Sequence, residues 1–106
     1  MATLFGSKTR TDVLVAIARL DLTYPTEVAR VLSLRLIEVQ RAISSLERSG
    51  AVVSRRVGNT RTVSLNPRFR AADELYTLLL KLSEDPWYED RWAKLRKRPR
   101  AIGKQS

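Results

Sequence analysis

The sequence LRLIEVQRAISSLERSG (residues 34–50), followed directly by AVVSRRVGNTRTVSLN (residues 51–66), decides the fold. In the first segment the apolar residues recur at the spacing of a helix, about 100° per residue. One side of this helix carries Leu36, Val39, Ile43 and Leu46. The second segment changes to a period of two, which is typical of strands. The order predicts a helix over 35–49 and a β-hairpin over 51–66.

The opposite side of the predicted helix carries side chains that can contact base edges. We call this set the reading face, and it consists of Ile37, Gln40, Arg41, Ser44 and Arg48. Arginine suits a phosphate or a guanine edge, glutamine suits an adenine edge, and serine suits either. Exposed isoleucine can pack on a thymine methyl group or mark a protein contact. Taken alone, the pattern also fits an amphipathic core helix whose outer side is simply solvated.

The hairpin has a well-defined predicted register. Gly58 and Asn59 suit a two-residue turn with positive φ at Gly58. This turn pairs Val57 with Thr60, Arg56 with Arg61, and Val52 with Leu65. Arg56 and Arg61 then lie opposite each other, where like charges repel, and a bound anion would explain their placement. The alternative is a solvated charge run that keeps a strand edge from pairing with other chains.

Two helices are predicted before the decisive segment. Thr9 and Asp12 have the spacing of a helix cap, so the first helix is predicted from Arg10 to Leu20, with Val13, Leu14, Ile17 and Leu20 buried. Residues 21–24 are predicted to form a connection. Pro25 suits the first position of a second helix. Residues 33–35 then form a tight joint before the third helix, which Gly50 ends.

Two further helices are predicted after the hairpin. The fourth spans about 70–82 and has leucines at helical spacing, and Asp85 and Pro86 begin a short final helix. The aromatic residues of that helix either pack against their own domain or form a self-complementary surface. The candidate dimer interface consists of Leu79, Trp87, Tyr88, Trp92 and Leu95. Basic residues dominate after Asp90, and the tail 99–106 is predicted to be flexible.

Composition limits the chemistry of the chain. It has 106 residues, which is enough for one modest core, and a formal net charge of +9, which favours a polyanionic partner. It contains no cysteine and no histidine, so thiolate, zinc-site and imidazole chemistry are excluded. Its paired acids are adjacent in sequence and point in different directions on a helix. The sequence predicts a protein that is not an enzyme and needs no cofactor or metal.

Four stretches resemble the ArsR-like type of winged helix-turn-helix regulator: LFGSKTRTDVLVAIARL, PTEVARVLSL, VQRAISSLERSG and VVSRRVGNTRTVSLNPRF. The resemblance implies a mainly α fold with a small β-hairpin and additional C-terminal helices. It also implies a DNA-binding domain over 4–69, in which the hairpin 51–66 is the wing, and a dimerisation element over 70–98. The wing residues that it implies for DNA binding are Arg55, Arg56, Asn59 and Arg61.

These observations predict a small double-stranded-DNA-binding transcriptional regulator, a repressor and homodimer. In this hypothesis the helix 35–49 lies in the major groove and the wing lies on the backbone or in the minor groove. The N-terminal residues MATLFGSKTR do not form a signal sequence, and no apolar run is long enough for a membrane span. We therefore expect a cytoplasmic, nucleoid-associated protein without a membrane partner. The sequence identifies no small-molecule effector.

Two alternatives remain open from the sequence. One is a protein-interaction module that uses the winged-helix surface, exposed Ile37 or the Trp-rich final helix. The other is an RNA-binding, ribosome-associated basic protein that recognises shape rather than sequence.

Overall fold

The described part of the chain consists of five helices and a three-stranded antiparallel sheet. The computed structural model describes residues 5–96, with side chains up to residue 93. Its elements are α1 (Lys8–Leu20), β1 (Leu22–Thr23), α2 (Pro25–Leu32), α3 (Leu36–Ser49), β2 (Val52–Val57), β3 (Thr60–Leu65), α4 (Ala72–Leu82) and α5 (Pro86–Arg96). The strand order is β1-β3-β2. This architecture confirms the predicted fold class, a mainly α domain with a hairpin and additional C-terminal helices.

Helix α1 is the centre of the core. Six consecutive apolar residues, from Val13 to Ala18, are buried, because α2, α3, α4 and the sheet pack around this helix. The prediction that Val13, Leu14 and Ile17 are buried is confirmed, whereas Leu20 is only half buried at the end of the helix. A helix that is apolar on nearly every side must be covered by its neighbours. The other elements are therefore arranged around α1.

The start of α1 differs from the prediction. Ser7, and not Thr9, caps the helix, because Ser7 is extended and its hydroxyl accepts a hydrogen bond of 3.1 Å from the backbone N–H of Arg10. Thr9 already lies inside the first turn. The hydroxyl of Thr11 donates to the carbonyl oxygen of Ser7 at 2.9 Å. The helix consequently begins two residues before the predicted position.

Strand β1 replaces the predicted connection at residues 21–24. Leu22 pairs with Ser64 and Thr23 pairs with Val63, which adds a third strand to the hairpin. The hydroxyl of buried Thr23 donates to Oε1 of Glu27 at 2.6 Å. Two residues are too few to show a period of two, so the sequence pattern could not reveal this strand.

The hairpin has the predicted register. Val52 pairs with Leu65, Arg56 with Arg61, and Val57 with Thr60. Gly58 has φ +63°, and Gly50 has φ +87° at the end of α3, so both glycines occupy the left-handed region that favours this residue. The side-chain amide of Asn66 donates to the carbonyl oxygen of Gly50 at 2.9 Å and holds the base of the hairpin against the end of α3.

Helices α4 and α5 contribute to the same core. Helix α4 begins at Ala72, two residues after the predicted start, and Ala71 before it has φ +61°. Helix α5 begins at Pro86 as predicted, and Oδ1 of Asp85 accepts a hydrogen bond from the backbone N–H of Trp87 at 2.9 Å. Tyr88 packs with the buried residues of α1 to α3 and the sheet. The predicted tail 99–106 lies outside the described residues.

Polar groups fix α5 against α1. The hydroxyl of Tyr88 donates to Oδ1 of Asp12 at 2.6 Å, and Lys8 forms an ion pair of 2.7 Å with Oδ2 of the same buried carboxylate. The indole N–H of Trp92 donates to the carbonyl oxygen of Ser83 at 2.9 Å, and the rings of Tyr88 and Trp92 are stacked. A buried carboxylate is stabilised only when partners of this kind compensate its lost hydration.

The predicted dimer interface needs correction. Leu79, Tyr88 and Trp92 are buried inside the single chain, so their side chains are not available at its surface. Of the two interpretations of the aromatic cluster, packing within the domain applies to these residues. Trp87 is half buried, with Lys8 and Arg91 over its ring. The side chain of Leu95 lies outside the described part of the chain.

We expect Tyr88→Phe to lower the free energy of unfolding by about 1 to 3 kcal/mol, because it removes the hydroxyl that Asp12 accepts from in the core. Urea unfolding at neutral pH measures this loss. Tyr76→Phe is the matched control, since the Tyr76 side chain is 39% exposed and a surface substitution of this kind changes stability by less than about 0.5 kcal/mol. Equal stability of the two variants would contradict the assignment.

The same tyrosine predicts a pH dependence. Burial, the hydrogen bond to Asp12 and the negative charges of Asp12 and Asp85 raise the pKa of Tyr88 well above its ordinary value. A pKa that is raised in the folded state contributes stability below the pKa of the unfolded chain, about 10, and this contribution is lost as the pH rises further. We expect the stability difference between the wild type and Tyr88→Phe to be constant below the unfolded pKa and to shrink as the pH rises above about 10. A difference that stays constant above that pH would exclude the linkage.

Candidate nucleic-acid interface

The reading face of α3 is open to solvent. Arg41 and Arg48 are exposed, Ile37 is 46% exposed, and Gln40 and Ser44 are half buried. Within residues 5–96, the polar side chains of the reading face form no ion pair and no side-chain hydrogen bond. These groups are therefore available to an external partner.

The opposite side of α3 is fixed to the core. Val39, Ile43 and Leu46 are buried, as the helical spacing predicts. Arg10 of α1 adds a directional contact, because Nη1 donates to Oγ of Ser45 at 2.8 Å while Nε donates to the carbonyl oxygen of Phe5 at 3.0 Å. Packing and hydrogen bonds thus fix how closely α3 lies against the core and how it is rotated about its own axis.

The prediction that Leu36 belongs to the core side is wrong. Leu36 is the first residue of α3 and is 39% exposed. It lies at the edge of the apolar stripe, where no neighbouring element covers it completely. Its side chain instead lines the groove described below.

A tight three-residue joint connects α2 to α3. Ser33 has φ +59°, in the left-handed region, and the backbone N–H of Leu34 donates to the carbonyl oxygen of Ala29 at 2.9 Å. At the start of α3, the carboxylate of Glu38 accepts a hydrogen bond of 3.1 Å from the backbone N–H of Arg35. The pair α2 and α3 therefore has the geometry of a helix-turn-helix.

The wing presents a second set of exposed polar groups, two of them cationic. Arg55, Arg56 and Asn59 are exposed, and within the described part of the chain the two arginines have no ion-pair partner. Val57 at the tip is also exposed. Exposed residues at a two-stranded tip can approach a nucleic acid without rearrangement of the core.

Arg61 differs from the other wing arginines. Its Nη2 lies 3.1 Å from Oε1 of Glu47 on α3, and its Nε donates to Oγ of Ser54 at 3.3 Å. The sequence correctly predicts that Arg56 and Arg61 face each other, but Glu47 supplies an anion for Arg61 within the protein. Glu47 is not among the site residues predicted from the sequence. The available signal was its place seven residues after Gln40, on the same side of the helix.

A groove of about 480 Å³ separates α3 from the wing. Its walls come from three places in the sequence, the start of α2, one side of α3 and the tip of the wing. The lining residues are Tyr24, Pro25, Thr26, Leu36, Gln40, Asn59, Thr60 and Arg61. The contributions of Tyr24, Leu36 and Thr60 were not predicted. The groove makes the reading face and the wing parts of one surface.

Residues 5–96 contain no group of three or more acidic, cysteine or histidine side chains placed to hold a metal ion. No helix in this range has both the length and the hydropathy that a membrane crossing needs.

The arrangement of helices and sheet matches solved regulators. A mutant of ZitR from Lactococcus lactis superimposes with a TM-score of 0.59 at 16% identity, covering 86% of this chain and 62% of that one. A mutant of MarR from Escherichia coli gives 0.59 at 21% identity, with 90% and 67% covered. The chain has the winged-helix fold. A MarR-family transcriptional regulator from Silicibacter pomeroyi gives 0.57 at 17% identity, with 82% and 60% covered.

The sequence alone gives no further assignment. No protein-family model matches it, and no curated protein matches it significantly. This chain spans 62% of the ZitR chain and 60% of the Silicibacter pomeroyi chain, so those proteins contain substantial additional length. The solved structures support the winged-helix part of the resemblance seen in the sequence, but not its ArsR-like subtype.

Two isoleucines of α3 test which side of the helix is free. Ile43 is fully buried, so Ile43→Ala is expected to lower the free energy of unfolding by about 2 to 5 kcal/mol. Ile37→Ala, the same change on the reading face, is expected to cost less than about 1 kcal/mol because little packing is lost. Urea unfolding of both variants measures the difference. A large loss in Ile37→Ala would show that another part of the protein covers the reading face.

Proposed function

We propose that the protein is a small transcriptional regulator that binds double-stranded DNA and acts as a repressor. The observation that carries the proposal is a set of exposed arginines on two neighbouring elements, Arg41 and Arg48 on α3 and Arg55 and Arg56 on the wing. None of them has an ion-pair partner in the part of the chain that the structure describes. A surface of this kind matches a duplex, whose major groove admits a helix while its backbone offers phosphates on either side. MarR, one of the structurally similar proteins, is a multiple antibiotic resistance repressor, which supports repression as the sign of regulation.

The reading face is proposed to contact bases. Arg41 and Arg48 have the donors for guanine edges or phosphates, Gln40 has the paired donor and acceptor for adenine, and Ser44 suits either. The exposed side chain of Ile37 supplies an apolar contact for a thymine methyl group. Since the core side of α3 is fixed, the helix can enter a groove as a rigid element.

The wing is proposed to contact the backbone or the minor groove. Arg55, Arg56 and Asn59 are exposed there, and a narrow minor groove attracts arginine because its negative potential is enhanced. The net charge of +9 adds a sequence-independent attraction. Arg61 belongs to the same surface, but its charge is paired with Glu47.

The protein is proposed to bind as a homodimer. The buried aromatic residues of α5 do not supply the interface, but Tyr76 and Leu78 of α4 remain exposed and offer apolar area for a second copy. In a dimer, two reading faces would meet successive major grooves about 34 Å apart. A cytoplasmic, nucleoid-associated location follows from a DNA-binding role. The narrower ArsR-like assignment depends on residues 4–69 alone.

Selection from a random duplex library tests the proposal. We expect an enriched motif with inverted half-sites, because a symmetric dimer reads two copies of the same sequence. Competition between duplex DNA and structured RNA tests the RNA-binding alternative. A search for protein partners at high salt tests the protein-interaction alternative. Preference for RNA, or no duplex binding at low salt together with a salt-insensitive protein complex, would refute DNA binding.

Arg41→Ala is expected to weaken binding to the selected site by about 1 to 3 kcal/mol and to weaken random duplex much less, because a base contact carries sequence information. Fluorescence anisotropy with both duplexes measures the two affinities. The same loss on both duplexes would remove Arg41 from the base-reading residues.

Arg56→Ala is expected to weaken binding to all duplexes and to reduce the slope of log affinity against log salt by about 0.9, the value for one phosphate contact. Lys81→Ala removes the same charge from an exposed position on α4 and serves as the control. A salt titration of both variants gives the slopes. Equal slopes in the two variants would contradict a phosphate contact at Arg56.

A further inference from the structure

Arg61 connects three elements at the base of the exposed part of the wing. It lies on β3, contacts Ser54 on β2, and forms an ion pair with Glu47 on α3. The side chains of Arg61 and Glu47 are 32% and 31% exposed, so water is partly excluded from the pair. Such a pair is stronger than a fully exposed one, because screening by solvent is reduced.

The pair lies where the wing leaves the core. Val52 and Val63 are buried at the base of the hairpin, whereas the side chains from Arg55 to Thr60 are exposed. The hydrogen bonds between two projecting strands hold the strands to each other. They do not fix the angle between the hairpin and the core. In the described part of the chain, the Arg61 to Glu47 contact is the ion pair that joins this projecting hairpin to α3.

The charge of Arg61 is already compensated. Glu47 neutralises it within the protein, while Arg55 and Arg56 have no such partner among the described residues. A phosphate that approached Arg61 would therefore meet a guanidinium whose charge Glu47 already neutralises. The geometry favours a division of roles among the wing arginines.

We propose that Arg61 is a positioning residue, which together with Glu47 fixes the angle between the wing and α3. It sets the width of the groove lined by Leu36, Gln40 and Asn59, and through it the spacing between the reading face and the wing tip. Arg55 and Arg56 then meet phosphates while α3 reads bases. This inference rests on the proposed DNA-binding function, which it makes more specific.

The first experiment compares Arg61→Gln with Arg56→Gln on the selected duplex over a range of salt concentrations. Arg61→Gln is expected to weaken binding about fivefold, the value of a good partly exposed ion pair, while leaving the salt slope unchanged. Arg56→Gln is expected to reduce the slope by about 0.9. Adding Glu47→Gln to Arg61→Gln is expected to cause no further loss, because the pair is already broken.

A charge exchange provides the rescue test. The double variant Glu47→Arg with Arg61→Glu has the net charge of the wild type and can re-form the pair in the opposite direction. It is expected to restore most of the affinity that Arg61→Gln loses. A reduced salt slope in Arg61→Gln, unchanged affinity in that variant, or no recovery in the exchange variant would overturn the positioning role.

A second measurement does not require DNA. In the amide NMR spectrum of the free protein, Glu47→Gln and Arg61→Gln are expected to shift the same resonances at the wing tip, from Val57 to Thr60, and the exchange variant to return them. Arg56→Gln is the control and is expected to shift only its neighbours. If Glu47→Gln leaves the wing-tip resonances unshifted, the positioning role is overturned. If both variants shift the same resonances but the protein does not bind duplex DNA, only the proposed function is refuted.

Discussion

The burial of α1 on nearly every side is the constraint on which the rest of the structure depends. A helix with an uninterrupted apolar run from Val13 to Ala18 is stable only when neighbours cover all of its sides. Helix α3 supplies one of those neighbours and commits Val39, Ile43 and Leu46 to the contact. Its opposite side carries Arg41 and Arg48, which are exposed. The rotation of α3 that buries its apolar side therefore also leaves the reading face open.

The same constraint explains the role of the C-terminal helices. Asp12 lies on the central helix with its carboxylate buried, and its partners come from Lys8 and from Tyr88 on α5. Because an uncompensated buried charge would be strongly destabilising, α5 is needed for the integrity of the core. The aromatic side chains that sequence reasoning offered to a second copy are therefore used internally.

Features that depend on residues close together in the sequence could be predicted from it. Features that depend on contacts between residues far apart in the sequence could not. The turn at Gly58 sets the hairpin register from two residues, and helical spacing identifies the exposed side of α3. Strand β1 is too short to show a period and pairs with residues about 40 positions away. The partners Asp12 and Tyr88 are 76 positions apart. Leu36 was misplaced because, at the end of a helix, spacing alone does not say what covers a side chain.

Electrostatics distinguishes Arg61, which is paired with Glu47, from the exposed arginines of α3 and the wing. An exposed guanidinium that keeps its hydration costs the folded protein little, but burial against a neutral protein partner would remove that hydration without compensation. Phosphates compensate the charge and release condensed counterions, so they favour association with Arg41, Arg48, Arg55 and Arg56. Glu47 gives Arg61 this compensation within the protein. This difference between Arg61 and the exposed arginines favours duplex DNA as the proposed partner, because a duplex would contact α3 and the wing at a fixed separation. A partner that recognises only positive charge would not need that separation.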